Sequence, residues 1–149
     1  MITYQQESLF EILDEMKEII KLNYRDLTLN KDKVLLDPIW ERYENLESTG
    51  NFFLFTARDD LALVGYGAFF LNNHIHYRDL NVASNDVLYL KEEYRKGMTG
   101  IKLLKFCENK MKELGADKIT WHVKNSIDFT PILYRLGYLE EDKIIGKFL

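Results

Sequence analysis

The chain has 149 residues, 46% hydrophobic and 30% charged, with 8 glycines and 2 prolines. That mix excludes disorder, collagen-like repeats and Pro/Gly low complexity, and the length predicts one domain able to bury roughly 68–70% of its unfolded surface. A net charge of −4 argues against a nucleic-acid binder.

The longest apolar run, Leu61 to Leu71, is too short to cross a bilayer, and nothing near Met1 resembles a signal peptide. One cysteine, Cys107, has no partner for an internal bridge, so a reducing cytoplasm is the expected location. Charge is divided unevenly. Residues 1–90 carry 8 basic and 15 acidic side chains, whereas residues 91–149 carry 12 and 9, with Lys91, Arg95, Lys96, Lys102 and Lys105 close together. A solvated helix face is the ordinary meaning of such a run, and a local anion site is the alternative.

Leu9, Ile12, Leu13, Met16, Ile19 and Ile20 recur every three to four residues and predict a helix over about 6–22. Asp37-Pro38 signals a second helix through about Leu46, ended near Gly50. Phe52–Ala57 reads as a strand, Arg58-Asp59-Asp60 as a turn and Leu61–Leu71 as a longer strand. Within it Gly65 and Gly67 remove side chains from one face, as where another backbone passes closely. Asn72-Asn73 is turn-like, His74–Tyr77 a short strand and Asp79–Asn85 a polar loop.

Asp86–Lys91 is the next strand. Gly100–Leu114 is a helix with Leu104, Cys107, Met111 and Leu114 inward, stopped by Gly115. That spacing makes Cys107 a buried structural thiol rather than a nucleophile. Lys118–Val123 reads as a strand, Phe129–Leu136 as a short helix ended by Gly137, and the remainder as a closing strand or hairpin. Strand, helix and strand at this spacing form a parallel βαβ unit. The expected fold is a single α/β domain spanning 1–149 on a mixed sheet.

Chemistry concentrates between Leu88 and Leu104, where a strand runs through a basic, glycine-containing turn directly into a helix. First-turn amides of a helix lack intrahelical acceptors and sit at the positive end of its dipole, so such a turn suits a phosphate. A plain strand-to-helix turn is the alternative. Neither G-x-x-x-x-G-K-[ST] nor G-x-G-x-x-G is present.

Leu88-Tyr89-Leu90, then Glu93-Tyr94-Arg95, the glycines and Leu103-Leu104 resemble motif A of the GNAT superfamily of N-acetyltransferases, whose usual form is P-E-Y-R-x-x-G-x-G after a hydrophobic strand. Leu136-Gly137-Tyr138 is similar to that family's L-G-F near the C-terminus, and the element order follows it over about 5–148. The resemblance implies that family's α/β (α+β) fold: a mixed, mostly antiparallel sheet with a central βαβ unit and helices on both faces. The signature [Q/R]-x-x-G-x-[G/A] falls on Arg95-Lys96-Gly97-Met98-Thr99-Gly100, with Met98 at the first glycine position and Gly97 one place early.

This resemblance implies acetyl-coenzyme A as acyl donor, with no metal, and transfer to an amine by direct attack in a ternary complex. It implies that the backbone of Leu88, Tyr89 and Leu90 pairs with the pantetheine arm, and that the Leu90 amide polarises the thioester carbonyl. The amides of Lys96, Gly97, Met98, Thr99, Gly100 and Ile101 would hold the pyrophosphate, with charge from Arg95, Lys96 and Lys102. Asn125 falls where the family often contacts pantetheine or substrate.

An amine acceptor needs a proton removed. Asp86, expected on the strand face of Leu88 and Leu90, is the first choice of base, against a carboxylate that only caps its loop. His76 is the second choice; His74 and His76 otherwise read as ordinary edge-strand histidines, and lack a third ligand at metal-binding spacing. The family's thiolate-protonating tyrosine would fall on Leu133, making neighbouring Tyr134 the candidate acid. His122, between Trp121 and Val123, is expected in the core.

Tyr4, Phe10, Tyr24, Trp40, Tyr43, Phe52 and Phe53 read mostly as core, some lining an acceptor pocket. The acidic first half suits a cationic acceptor, whether polyamine, aminoglycoside or lysine side chain. The expected partners are thus a small-molecule or lysine amine, with a homodimer compatible and neither nucleic acid nor membrane. The competing functions are a catalytically silent acyl-coenzyme A sensor of the same fold and an anion-binding α/β protein without coenzyme A.

Overall fold

The computed structural model describes all 149 residues. Its elements run β1 (Ile2–Glu7), α1 (Leu13–Leu27), α2 (Trp40–Ser48), β2 (Phe52–Asp59), β3 (Ala62–His74), β4 (Tyr77–Leu90), α3 (Thr99–Glu113), β5 (Lys118–Thr120) and α4 (Thr130–Arg135). The strands form one sheet in the order β1-β2-β3-β4-β5, antiparallel except for the β4–β5 pair, whose connection carries α3. The mixed sheet and the strand–helix–strand unit are those expected.

Period-two alternation sorts the sheet's side chains into two layers. Phe52, Leu54, Tyr66, Ala68 and Tyr89 pack under α1 and α2 with Met16 and Ile19. Phe55, Val64, Phe69, Ala83 and Leu90 pack against Leu103, Cys107 and Met111 of α3. Gly67 admits α3: a Cβ there would lie 2.8 Å from the Cys107 sulfur and 3.2 Å from the Phe69 ring.

Several boundaries depart from the sequence reading. The opening helix occupies 13–27 rather than 6–22, because residues 2–7 bond to the free edge of β2 as β1. Arg58 and Asp59 belong to β2, and the turn falls at Asp60, whose φ is 51°. The expected strand over His74–Tyr77 is the hairpin tip, with Ile75 and His76 as the connection. The expected polar loop Asp79–Asn85 is strand: β3 supplies its hydrogen bonds, Asp79 stands exposed and Asn85 is buried.

The 118–123 strand stops at Thr120. The closing strand does not form. Residues 138–149 make no backbone pair with the sheet. Lys118 holds Glu141 at 2.6 Å, and the Lys33 ammonium lies 5.0 Å from the Phe148 ring centre.

Candidate active site

β4 pairs with β5 only over Val82–Ser84, so from Asn85 onward one edge of β4 is open. The ladder to β3 determines which backbone groups face that opening. The Lys91 N–H donates to Val64 at 2.9 Å, and Tyr66 stands opposite Tyr89, so the bonded positions are Tyr89 and Val87. Leu88 and Leu90 therefore aim their N–H and C=O groups away from β3. Tyr89, expected to pair with the pantetheine arm as well, has its own amide turned to β3. Where the strands part, the Asn85 carboxamide takes the place of a peptide. Its Oδ1 accepts from the His122 N–H at 2.5 Å and its Nδ2 donates to the His122 carbonyl at 3.2 Å. Asn85 is 2% exposed and was missed from sequence, where it read as loop. His122 itself is exposed, not core: only its backbone is used.

Below the open edge the chain turns into α3. Gly97 adopts φ 84°, the left-handed conformation that glycine enters freely. Met98 has φ −95°, which a side chain tolerates, and so a methionine stands where the signature has glycine. No side chain caps α3, and its first helical bond is Lys102 N–H to Met98 C=O. The amides from Lys96 through Ile101 consequently have no acceptor in the protein. Lys96 and Lys102 are exposed and unpaired beside them.

Arg95 is engaged differently from expectation. Its Nε donates to the Leu90 carbonyl at 2.8 Å, its Nη2 contacts Asp26 of α1 at 2.7 Å, and its guanidinium lies 5.5 Å from the Tyr89 ring centre. Asp26 also accepts from Arg25 Nε at 2.8 Å and the Tyr89 hydroxyl at 2.9 Å. Those bonds, Arg25's foremost, hold the Asp26 carboxyl down to about 2. Burial, then Asp26, push the Tyr89 phenol up to about 12. Arg95 thus fixes the Leu90 peptide, and it shares the Asp26 carboxylate with Arg25.

Asp86 sits at a β-bulge, where the register passes from Ala68–Val87 to Phe69–Asn85. The extra residue reverses the alternation, so Asp86 faces α1 and α2 with Val87, opposite to Leu88 and Leu90. The expectation of a shared face is corrected. There it accepts from the Tyr43 hydroxyl at 2.7 Å and lines a cavity of about 150 Å³ with Trp40, Phe52 and Tyr66. Burial, reinforced by Asp86, raises the Tyr43 phenol far above its usual range, so it stays a proton donor.

Other candidates lie apart. His76 is exposed at the hairpin tip just before β4, ten residues from Asp86 in sequence, or roughly 33 Å at the usual rise. It and His74 form a ring pair at 5.8 Å, and no group of three metal-ligating side chains exists there or elsewhere. Tyr134 is 49% exposed and points to Glu140 at 3.4 Å, while Leu133 takes the buried side of α4. Asn125 is exposed in the turn after β5. Cys107 is fully buried as expected, and burial raises its thiol well above the usual range.

A profile described as the Acetyltransferase (GNAT) family matches residues 12–138. The chain belongs to that family. No curated protein matches it in sequence. Among solved structures it is similar to an aminoglycoside acetyltransferase from an uncultured soil metagenomic sample, at 15% identity and TM-score 0.77 over 100% of this chain and 99% of that one. Glucosamine-6-phosphate N-acetyltransferase from Arabidopsis thaliana aligns at 12% identity and TM-score 0.74, covering 99% and 98%. Ribosomal-protein-alanine N-acetyltransferase from Brucella melitensis biovar Abortus 2308 aligns at 16% and 0.72, covering 99% of each. At these identities the likeness establishes the GNAT fold, and the acceptors of the three differ.

Proposed function

We propose that this GNAT-family protein is an N-acetyltransferase that moves an acetyl group from acetyl-coenzyme A to a primary amine by direct attack in a ternary complex. The observation that carries the reading is the run of unpaired amides from Lys96 to Ile101 directly beneath the open edge of β4. Together they suit a ligand with a pyrophosphate at one end and a strand-like, amide-bearing arm at the other. The Leu88 and Leu90 backbones would pair with that arm, and Lys96 and Lys102 would add charge.

Acetyl-coenzyme A would supply an activated thioester. The Leu90 N–H would hydrogen-bond the carbonyl oxygen on which negative charge develops. Asp86 would take the proton of the incoming ammonium, directly or through water. As the nitrogen–carbon bond forms the carbon–sulfur bond breaks; the nitrogen gives up its second proton to solvent, and the thiolate leaves to be protonated from solvent.

One observation favours a second reading, a catalytically silent acyl-coenzyme A sensor: Leu133 is buried where the family places its tyrosine, and Tyr134 turns outward. Calorimetry with acetyl-coenzyme A and a free-thiol release assay over an amine panel test both. Binding with thiol release supports the transferase, binding without release supports the sensor, and absence of binding overturns both. Gly100→Val provides the control. A Cβ at Gly100 meets only a Leu90 methyl at 3.8 Å, so the variant should fold yet block the pyrophosphate and abolish binding. Unchanged affinity in that variant would remove the cofactor assignment.

A further inference from the structure

The acidic excess of residues 1–90 suggested a cationic acceptor, whether polyamine, aminoglycoside or lysine side chain, but the acids do not converge on the cavity. Arg58 donates to both Glu7 and Glu15, Asp26 is held by Arg25 and Arg95, Glu47 accepts from Ser8 and the Leu9 amide, and Asp59 holds the terminal ammonium. Asp86 is the only charged side chain lining the cavity between α1, α2 and β4. Apart from Asn23 and Thr28, the rest of the wall is apolar or aromatic. Trp40, Tyr43 and Phe52 form a continuous run, with ring centres 6.2 Å and 5.1 Å apart, the latter pair edge to face.

We infer, building on the transferase reading, that the acceptor is an amine with one positive charge and an apolar body about the size of a single aromatic ring. A largely apolar cavity of about 150 Å³ is the size that admits benzene. The aromatic run offers ring edges and faces to such a body. Asp86 and the face of Tyr43 would receive its ammonium. A polyamine or an aminoglycoside would bury further charges or hydroxyls against Trp40 and Phe52 without partners, a cost that excludes them. Val87 lines the same cavity, so the cavity reaches to within one residue of Leu88, whose backbone groups face the open edge of β4.

The test compares 2-phenylethylamine and hexylamine with spermidine, kanamycin and a lysine peptide, by calorimetry on the free protein and by thiol release with acetyl-coenzyme A. The expected result is at least ~10-fold higher kcat/KM for 2-phenylethylamine than for spermidine or kanamycin, as a fitted apolar pocket gives. Trp40→Ala should raise KM for 2-phenylethylamine by a similar factor while leaving KM for methylamine and the affinity for acetyl-coenzyme A unchanged. Preferred turnover of spermidine, kanamycin or the peptide overturns the inference and leaves the transferase reading intact. So does a Trp40→Ala effect equal for all amines. If acetyl-coenzyme A does not bind, the transferase reading fails, while binding of 2-phenylethylamine weakened by Asp86→Asn still supports the pocket chemistry and its absence overturns it.

Discussion

Asp86 and Arg95 show how far a residue's neighbours decide its role. A single extra residue in β4 turns the Asp86 carboxylate from the α3 layer to the α1–α2 layer and into the cavity. If Asp86 is the base, Asp86→Asn should lower turnover by about 10²–10⁴-fold, with acetyl-coenzyme A affinity unchanged and the defect shrinking at high pH as solvent deprotonates the amine. Steady-state rates across pH would measure this, and wild-type turnover in the variant would return Asp86 to a loop-holding role. Arg95 reads from sequence as a phosphate-binding charge, yet it spends its fork on Leu90 and Asp26. Arg95→Lys keeps the charge and loses the fork. We expect kcat to fall by about tenfold from a misplaced Leu90 amide, with little change in affinity. A large affinity loss with normal kcat would instead make Arg95 a phosphate ligand.

At the scale of elements, the α3–sheet contact depends on what Gly67 lacks. A methyl there meets the Cys107 sulfur at 2.8 Å, so Gly67→Ala should destabilise by about 1–3 kcal/mol, as overpacking does. Cys107→Ala removes the obstructing atom. The double variant should therefore be more stable than the sum of the single changes by at least ~0.5 kcal/mol, measured by urea unfolding, and strict additivity would refute the contact. Cys107→Ala alone should retain acetyl transfer, because burial keeps that thiol protonated. A folded Cys107→Ala protein without turnover would point to a covalent mechanism.

Across the whole molecule, two ion clusters tie the N-terminal elements to the sheet. Arg58, 8% exposed, spreads its donors over Glu7 of β1, Glu15 of α1 and the Leu61 carbonyl. Asp26 joins the end of α1 to Tyr89 and Arg95. Burial alone would raise the Glu7 carboxyl, but bonds from Arg58 and Thr56 outweigh it and hold it below its ordinary value. A carboxyl lowered in the folded state adds stability that is complete above its unfolded value and vanishes as pH falls through the folded one. For Asp26 that window runs from 3.8 down to about 2. Asp26→Asn should therefore flatten the dependence of unfolding free energy on pH between about 4 and 2. An unchanged slope there would mean that the cluster contributes nothing to acid stability.

Local chemistry was enough to read the βαβ unit, the buried face of α3 with Cys107, and the glycine-bearing turn at its start, because a 3.6-residue period and a left-handed glycine are properties of short segments. The family resemblance came from the same stretch together with Leu136-Gly137-Tyr138 and the order of elements. What lay beyond the sequence depended on partners far along the chain. β1 is a strand because β2 has a free edge, and Asp79–Asn85 is a strand because β3 lies beside it, whatever the polarity of its side chains. The parting of β4 and β5, the Asn85 clamp on His122 and the bulge at Asp86 are matters of register. Register is set by pairing across the sheet and leaves no mark on residue type. His76 and Tyr134 were plausible by identity and sequence spacing, and misplaced because a hairpin's length and one helical step of rotation decide what a side chain can reach.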